Sequence, residues 1–556
     1  MAPFVLHLSG PGWTESAPSD GPRCWLKGQT YLDGNPIRVD DLASHLRAAP
    51  SSPQSLTVSL APLNGFYAWV TQADQELRAG VDHIRSRPLF YGQAGGRFYL
   101  ADEAEWVRQQ VGDREMDPIA REEFQLAGYV TGADTLFPHV KQLQAGEFLT
   151  ATASEGGIIR VETQRYYRFL HTEPARYDAT ALGAELDRVA VASIQRLIDY
   201  AGGRQIVVPL SGGYDSRLIV TLLKRLGYHH VLGFSYGVAG NEEAACSRDV
   251  AAALDIPWRF IEYTNAGLAD AWSSDQAKDY RAMAANHSSL PHVQDWFAVK
   301  KLLDEGHITS DAIVAPGHSG DFVAGSHIPP FVFERKTFFL AELLGRLTNG
   351  HLANAPEFRF GITRDGTLER RLLDRIGYPF DGTDISMANL IELWDWQERQ
   401  AKYIVNSVRV YDHFHLDWWM PLWDIEFVHF WESVPLALRR ERKWFKEWID
   451  AQYLAIGGRP LTTYIAAPAK IQRTLVDRVK NQARLFLPRV LADQLRAIKW
   501  RLKSGKNSAV HQQHFLAFAG LVPRSQLENY LARGYNIIGI YSDLYIRKEW
   551  DTITGW

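Results

Sequence analysis

Two hydrophobic periods divide this chain. Up to about residue 165 the apolar residues come in short runs, among them Ser55-Leu-Thr-Val-Ser-Leu, Gly65-Phe-Tyr-Ala-Trp-Val and Arg97-Phe-Tyr-Leu, broken by Gly, Pro and Asp. Runs of that length and punctuation predict short strands. From about residue 178 the spacing lengthens. It predicts a long helix over 179–201, a strand through Ile206-Val-Val-Pro-Leu, a helix over 217–226, a strand at His230-Val-Leu-Gly-Phe-Ser, a helix over 242–254 and a strand at Trp258-Arg-Phe-Ile-Glu-Tyr. Strands alternating with helices imply βαβ units and a parallel sheet. Ligands of such sheets sit at the carboxyl ends of the strands, where Ser211 and Ser235-Tyr236-Gly237 fall. Later segments read as mostly helical and rich in tryptophan.

Composition narrows the class. A chain of 556 residues predicts two or three domains, here 1–165, 178–460 and a basic helical extension over 461–556. A net charge of −4 with 46% hydrophobic residues argues against a generic nucleic-acid binder. Two cysteines, Cys24 and Cys246, make neither a disulfide framework nor a zinc pattern, so a reducing compartment is expected. The first residues lack the basic start and long apolar core of a signal peptide, and no apolar run reaches membrane-spanning length. The expectation is a soluble, cytoplasmic protein. Between Lys470 and Lys506 basic residues interleave with Leu, Val, Ile and Phe486. Such a segment is a solvated face packed on the domain, or an amphipathic surface for an anionic lipid or substrate.

The sharpest local signal follows the strand at Ile206. Its turn reads Ser211-Gly-Gly-Tyr-Asp215-Ser216 and leads into a helix. Glycines let the backbone close on an oxyanion, and the N–H groups of a helix N-terminus point at it. Serine hydroxyls add donors. Asp215 repels a phosphate directly, so it suits a bridging Mg²⁺. The turn lacks both the Gly-Lys-Ser/Thr of a Walker loop and the dinucleotide fingerprint. The plainer reading is a glycine turn between strand and helix; the strand before it and Asp-Ser after it favour a nucleotide site. This stretch resembles the pyrophosphate loop of ATP pyrophosphatases, which cleave ATP to AMP and pyrophosphate.

Further motifs, in order and spacing, make most of the chain to about residue 450 resemble the asparagine synthetase family. They are Leu63-Asn-Gly-Phe-Tyr-Ala-Trp, Asp82-His-Ile-Arg-Ser-Arg-Pro-Leu-Phe-Tyr91, Thr135-Leu-Phe-Pro-His-Val-Lys-Gln-Leu-Gln-Ala-Gly146, Gly317-His-Ser-Gly-Asp321-Phe-Val-Ala-Gly325, Pro421-Leu-Trp-Asp-Ile-Glu-Phe-Val and Lys443-Trp-Phe-Lys446. The resemblance implies an α/β protein. An N-terminal Ntn-hydrolase-like α+β sandwich precedes a parallel-sheet, adenine nucleotide α-hydrolase-like synthetase domain and a helical C-terminal region. It implies ATP and Mg²⁺, with Leu210, Ser211, Gly212, Gly213, Asp215, Ser216, Ser235 and Gly317 at the nucleotide and Asp215 and Asp321 on the metal. Lys443 would add positive charge near the α-phosphate or the acyl-adenylate; its plainer reading is a surface lysine beside Arg442.

Two departures from the family matter. Its glutamine-hydrolysing members start Met-Cys, whereas position 2 here is Ala2, so the first domain is expected to be a scaffold without glutaminase chemistry. Free ammonia, a partner's ammonia or an amine would then be the nucleophile. His318 stands where the family has glutamate, either as an acid–base group for that nucleophile or as a substrate-binding or packing residue. His327 nearby reads as structural, and Arg217 as a contact to a phosphate or acidic substrate. The pattern is similar to a bacterial subgroup associated with O-antigen and capsule synthesis. This implies amidation of a small-molecule or carrier-linked sugar carboxylate. Alternatives are an intramolecular cyclase of β-lactam or lasso-peptide type and a non-catalytic binding protein on a degenerate synthetase fold. No nucleic-acid partner is expected; peripheral membrane contact and a homodimer are compatible with the sequence.

Overall fold

Alternating burial builds the first domain. In the computed structural model, which describes residues 2–18, 21–48, 52–354, 367–460, 518 and 521–547, the strand Leu63–Gln72 is buried along both faces. Ala68 and Val70 face a second sheet, while Tyr67 and Trp69 face two helices. That is the period-two geometry of a strand covered on both sides. Its antiparallel sheet runs Ile159–Arg165, Glu147–Ala153, Glu76–Val81, Leu63–Gln72, Arg23–Leu32 and Trp13–Ser16, with Asn35–Ile37 beside Arg23–Leu32. The second sheet runs Phe4–His7, Arg97–Ala101, Phe90–Ala94 and Lys141–Gln142. Phe4, Phe98 and Leu100 from it meet Val70, Ala79 and Leu149 in one core.

The expected strand at Ser55–Leu60 is instead the helix Pro53–Leu60. Ser52 caps it by accepting from the Ser55 N–H, and Pro53 occupies the first turn, where its missing N–H costs nothing. Leu56 and Leu60 then share one buried face. A short apolar run does not separate helix from strand; the Ser-Pro start does.

The second domain follows its pattern closely. Helix Ala179–Ala201 is capped by Asp178 and closed by Gly202 at φ +57°, the left-handed conformation glycine adopts without strain. A five-stranded, all-parallel sheet runs Trp258–Glu262, Val231–Gly237, Ile206–Pro209, Ile313–Val314 and Asp417–Trp418. Because Ile206–Pro209 and Ile313–Val314 are neighbours, the segments leaving their carboxyl ends, 211–216 and 317–321, emerge side by side. Six tryptophans between 394 and 431 are fully buried around this sheet.

Charged and polar side chains join the domains. Arg196 grips Asp424 with two bonds of 2.6 and 2.8 Å. Asn64 donates to Asp424 at 3.1 Å and accepts from the Ile425 N–H at 3.1 Å. Two of the sequence motifs therefore meet at one interface. Lys402 and Glu398, both fully buried, bond to the backbone of Gly132. Helix Ile537–Ile546 packs on Pro118–Ala127, with Gln125 donating to Asp543 at 3.1 Å. The basic segment 470–506 lies outside the described residues. Among the described residues no helix is long and apolar enough to cross a membrane.

Candidate active site

The loop after Pro209 is closed by its own serines. The Ser211 N–H donates to Ser216 Oγ at 3.1 Å, and the Gly213 N–H to Ser211 Oγ at 3.2 Å. Gly213 then opens the helix Tyr214–Arg225 in extended conformation, and no side chain caps it. The helix starts three residues earlier than its apolar pattern indicates, so Asp215 and Ser216 lie in the first turn. Leu210 is buried, and its carbonyl accepts from Ser235 Oγ at 2.6 Å. Ser235 also bonds Ser247, so it fixes the root of the loop from the neighbouring strand.

Gly317 and Gly320 bring the second segment onto this turn. A Cβ at Gly317 would lie 2.7 Å from the Ser216 backbone nitrogen, and one at Gly320 would lie 3.0 Å from Asp215 Cγ. At Gly317 the neighbour is backbone, so only glycine permits the approach; at Gly320 a larger residue would have to displace the Leu422 and Asp215 side chains. Ser319 between them holds φ +66°, a strained conformation for a residue with a side chain. The result sets Asp215 against Asp321, whose N–H donates to Asp215 Oδ2 at 2.9 Å.

Asp215 Oδ1 is buried and has no hydrogen-bond partner. The Arg442 guanidinium stands 3.9 Å away from it. Burial, and then the charge of Asp321, push the Asp215 carboxyl up to about 7, with Arg442 opposing. An orphaned oxygen beside a second carboxylate fits a divalent cation, and hard oxygen donors suit Mg²⁺. Among the described residues no group of three or more His, Cys, Asp or Glu is arranged to hold a metal. Two aspartates alone would leave the other coordination positions to phosphate oxygens and water, the usual arrangement for Mg²⁺ at a nucleotide.

Other expected residues fall differently. Lys443 is 81% exposed and pairs with Glu447; its neighbour Arg442 faces Asp215. Glu441 and Arg442 both have positive φ, +55° and +58°, and this turn aims Arg442 inward. Arg217 is buried. It bonds Asp450 at 2.9 Å and approaches the Gly212 carbonyl at 3.4 Å, tying the loop to the helix Lys443–Ala455. His318 lies 3.3 Å from Ser407 Oγ. Burial, and then His292, push its imidazole down to about 4, so it is uncharged at neutral pH.

His327, read from sequence as structural, belongs to the site. Its Nε2 is 3.9 Å from Asp321 Oδ2, and its Nδ1 bonds Asp395. Burial lowers its pKa, but the charge and hydrogen bond of Asp395 outweigh this and leave it raised. The sequence signal for Asp395 is a charged residue set between Trp394 and Trp396.

Residues 200–449 match the family model described as asparagine synthase. Residues 57–167 match the glutamine amidotransferase domain model. Among solved structures, one similar chain is the glutamine phosphoribosylpyrophosphate amidotransferase from B. subtilis complexed with ADP and GMP. It is 12% identical, covering 56% of this chain and 64% of that one, with a TM-score of 0.20. Another is the ammonia-dependent NAD synthetase from Campylobacter jejuni in complex with nitrate, 16% identical, covering 36% of this chain and 84% of that one, with a TM-score of 0.19. The chain thus spans 64% of the length of the first. Among curated proteins, none matches the chain.

Proposed function

We propose that this protein is an ATP-dependent carbon–nitrogen ligase that adenylates a carboxylate and passes the acyl group to ammonia or an amine. The observation that carries the reading is the orphaned Asp215 Oδ1 beside Asp321 and the Ser211–Ser216 turn. A carboxylate oxygen attacks the α-phosphorus, the bond to the bridging oxygen breaks, and pyrophosphate leaves. The turn would hold that leaving group through backbone N–H and serine donors. Mg²⁺ bound by Asp215 and Asp321 would offset the charge that develops on the phosphates. Arg442, rather than the exposed Lys443, is the better placed cation. Nitrogen then attacks the acyl carbon, AMP departs with the former carboxylate oxygen, and the nitrogen gives up a proton. His318, being uncharged, can accept a hydrogen bond from that nitrogen; its low basicity favours orienting it over removing its proton.

The resemblance noted above supports a sugar carboxylate of surface polysaccharide synthesis as the acyl substrate. The decisive test is oxygen-18 transfer. Any carboxylate that supports turnover should deliver one labelled oxygen to AMP; unlabelled AMP would contradict adenylation.

The same reading makes the first domain a scaffold. Both cysteines of the sequence are buried, and burial pushes the Cys24 thiol up to about 12. A thiol so placed is neither ionised nor reachable. We expect no glutamine hydrolysis, and iodoacetamide at pH 8 should label Cys24 only after denaturation. Labelling of the native protein at Cys24, read by mass spectrometry, would contradict this.

A further inference from the structure

Beyond Asp321 the site continues into a cluster of positive charge. Helix Asp384–Trp394 runs on as a π-helical stretch, Asp395–Ile404, a rare form that recurs at functional sites. Its wide turn stacks residues five apart, so Gln400 Nε2 donates to Asp395 Oδ1 at 3.3 Å, while Gln400 Oε1 accepts from Ser319 Oγ at 2.6 Å. Asp395 is 3% exposed, and His327 Nδ1 bonds its other oxygen.

Two arginines lie near this occupied carboxylate, and neither is hydrogen-bonded to it. Arg399 Nη1 stands 3.9 Å from Asp395 Oδ1, beyond hydrogen-bond length. Arg346, on helix Leu340–His351, feels the charge of Asp395, but its Nε is buried with no hydrogen-bond partner. No ion pair joins Arg346 to any described residue. One aspartate therefore answers to Arg399, His327 and His351, with the charge of Arg346 nearby. A buried guanidinium nitrogen left unpaired is unfavourable, and proteins retain such costs where a ligand supplies the missing partner. The cluster starts one imidazole away from Asp321.

We propose that Arg346 and Arg399 bind an anionic group, carboxylate or phosphate, that the acyl substrate carries in addition to the carboxylate that reacts. This inference rests on the ligase reading above. An anion there completes the arginines and fixes the substrate's distal end, so that its reacting carboxylate points towards Asp321 and the α-phosphate. Guanidinium donors match either anion in a two-pronged fashion.

The test is calorimetric titration of the full chain, saturated with Mg²⁺ and the α,β-methylene analogue of ATP, with succinate in one arm and methylphosphonate in the other. At least one anion should bind saturably, and the stronger arm names the group. Arg346→Gln and Arg399→Gln should each weaken it at least tenfold, and Arg→Lys at either position should recover only part of the affinity, since an ammonium keeps the charge and loses the two-pronged contact. Both variants should keep wild-type affinity for the nucleotide analogue, and Arg346→Gln should melt at or above the wild-type temperature, since it removes an unpaired charge. No saturable binding in either arm, or binding unchanged in both Gln variants, overturns the inference and leaves the ligase reading intact. Failure of the wild type to bind the nucleotide analogue overturns both.

Discussion

Lys402→Met is expected to lower the unfolding free energy by about 3–5 kcal/mol. The Lys402 ammonium is fully buried and donates to Glu398 Oε2 at 2.6 Å, to the Gly132 carbonyl at 2.6 Å and to the Val130 carbonyl at 2.9 Å. Methionine would leave Glu398 buried, charged and held only by the amides of Gly132 and Gln397. An uncompensated buried charge is what makes breaking such a pair costly. The double variant Lys402→Met with Glu398→Gln should therefore recover most of the loss. Denaturant unfolding of both variants checks this, and a single variant as stable as the wild type contradicts it. Burial, opposed by Glu398, also pulls the Lys402 pKa from 10.5 down to about 8. Between those values the unfolded chain binds more protons than the folded one, so this group makes stability rise with pH across that window. The difference between wild type and double variant should carry that slope.

Gly317→Ala should weaken ATP binding at least tenfold while the protein stays folded. The new Cβ would sit 2.7 Å from the Ser216 nitrogen and 3.1 Å from its Cα. Both are backbone atoms, so one segment must move. Overpacking of this kind costs about 1–3 kcal/mol, and here the displaced atoms are the phosphate turn itself. Calorimetric titration with ATP and a melting curve on the same sample separate loss of the site from loss of the fold. Unchanged affinity would mean that the close approach of the two segments does not shape the turn.

Local periodicity made much of the fold legible. The helix Ala179–Ala201 and three strands of the parallel sheet, those at Ile206, Val231 and Trp258, followed from apolar spacing and turn residues; the two-residue strands Ile313–Val314 and Asp417–Trp418, the first of which brings Gly317 beside the Ser211 turn, did not. The strand expected at Ser55–Leu60 failed because six apolar-polar positions fit both periods, and the Ser-Pro cap decided for helix. Within the site, residues inside a contiguous motif were visible: Ser211, Asp215, Ser216 and Asp321. What was hidden came from tertiary direction. Arg442 and Lys443 are adjacent, and only the two positive-φ residues at 441 and 442 determine which one turns inward. The partnership of His327 with Asp395 spans 68 residues and depends on a π-helical register that no periodicity announces. Arg217 read as a contact to substrate, yet its guanidinium is bonded to Asp450 from a helix more than 200 residues later.

The central claim is that the Ser211–Ser216 turn and its two aspartates serve adenylation of a carboxylate. The measurement that meets it most directly is pyrophosphate release from ATP and Mg²⁺ by the purified full chain with ammonium, across a panel of aspartate, nucleotide uronic acids and N-acyl amino acids, with Asp215→Ala beside it. The account predicts release that requires one class of carboxylate and falls by about a thousandfold or more in Asp215→Ala, the scale of losing a main electrostatic contact to the transition state. Release that persists in Asp215→Ala, or that proceeds equally without any carboxylate, would contradict it.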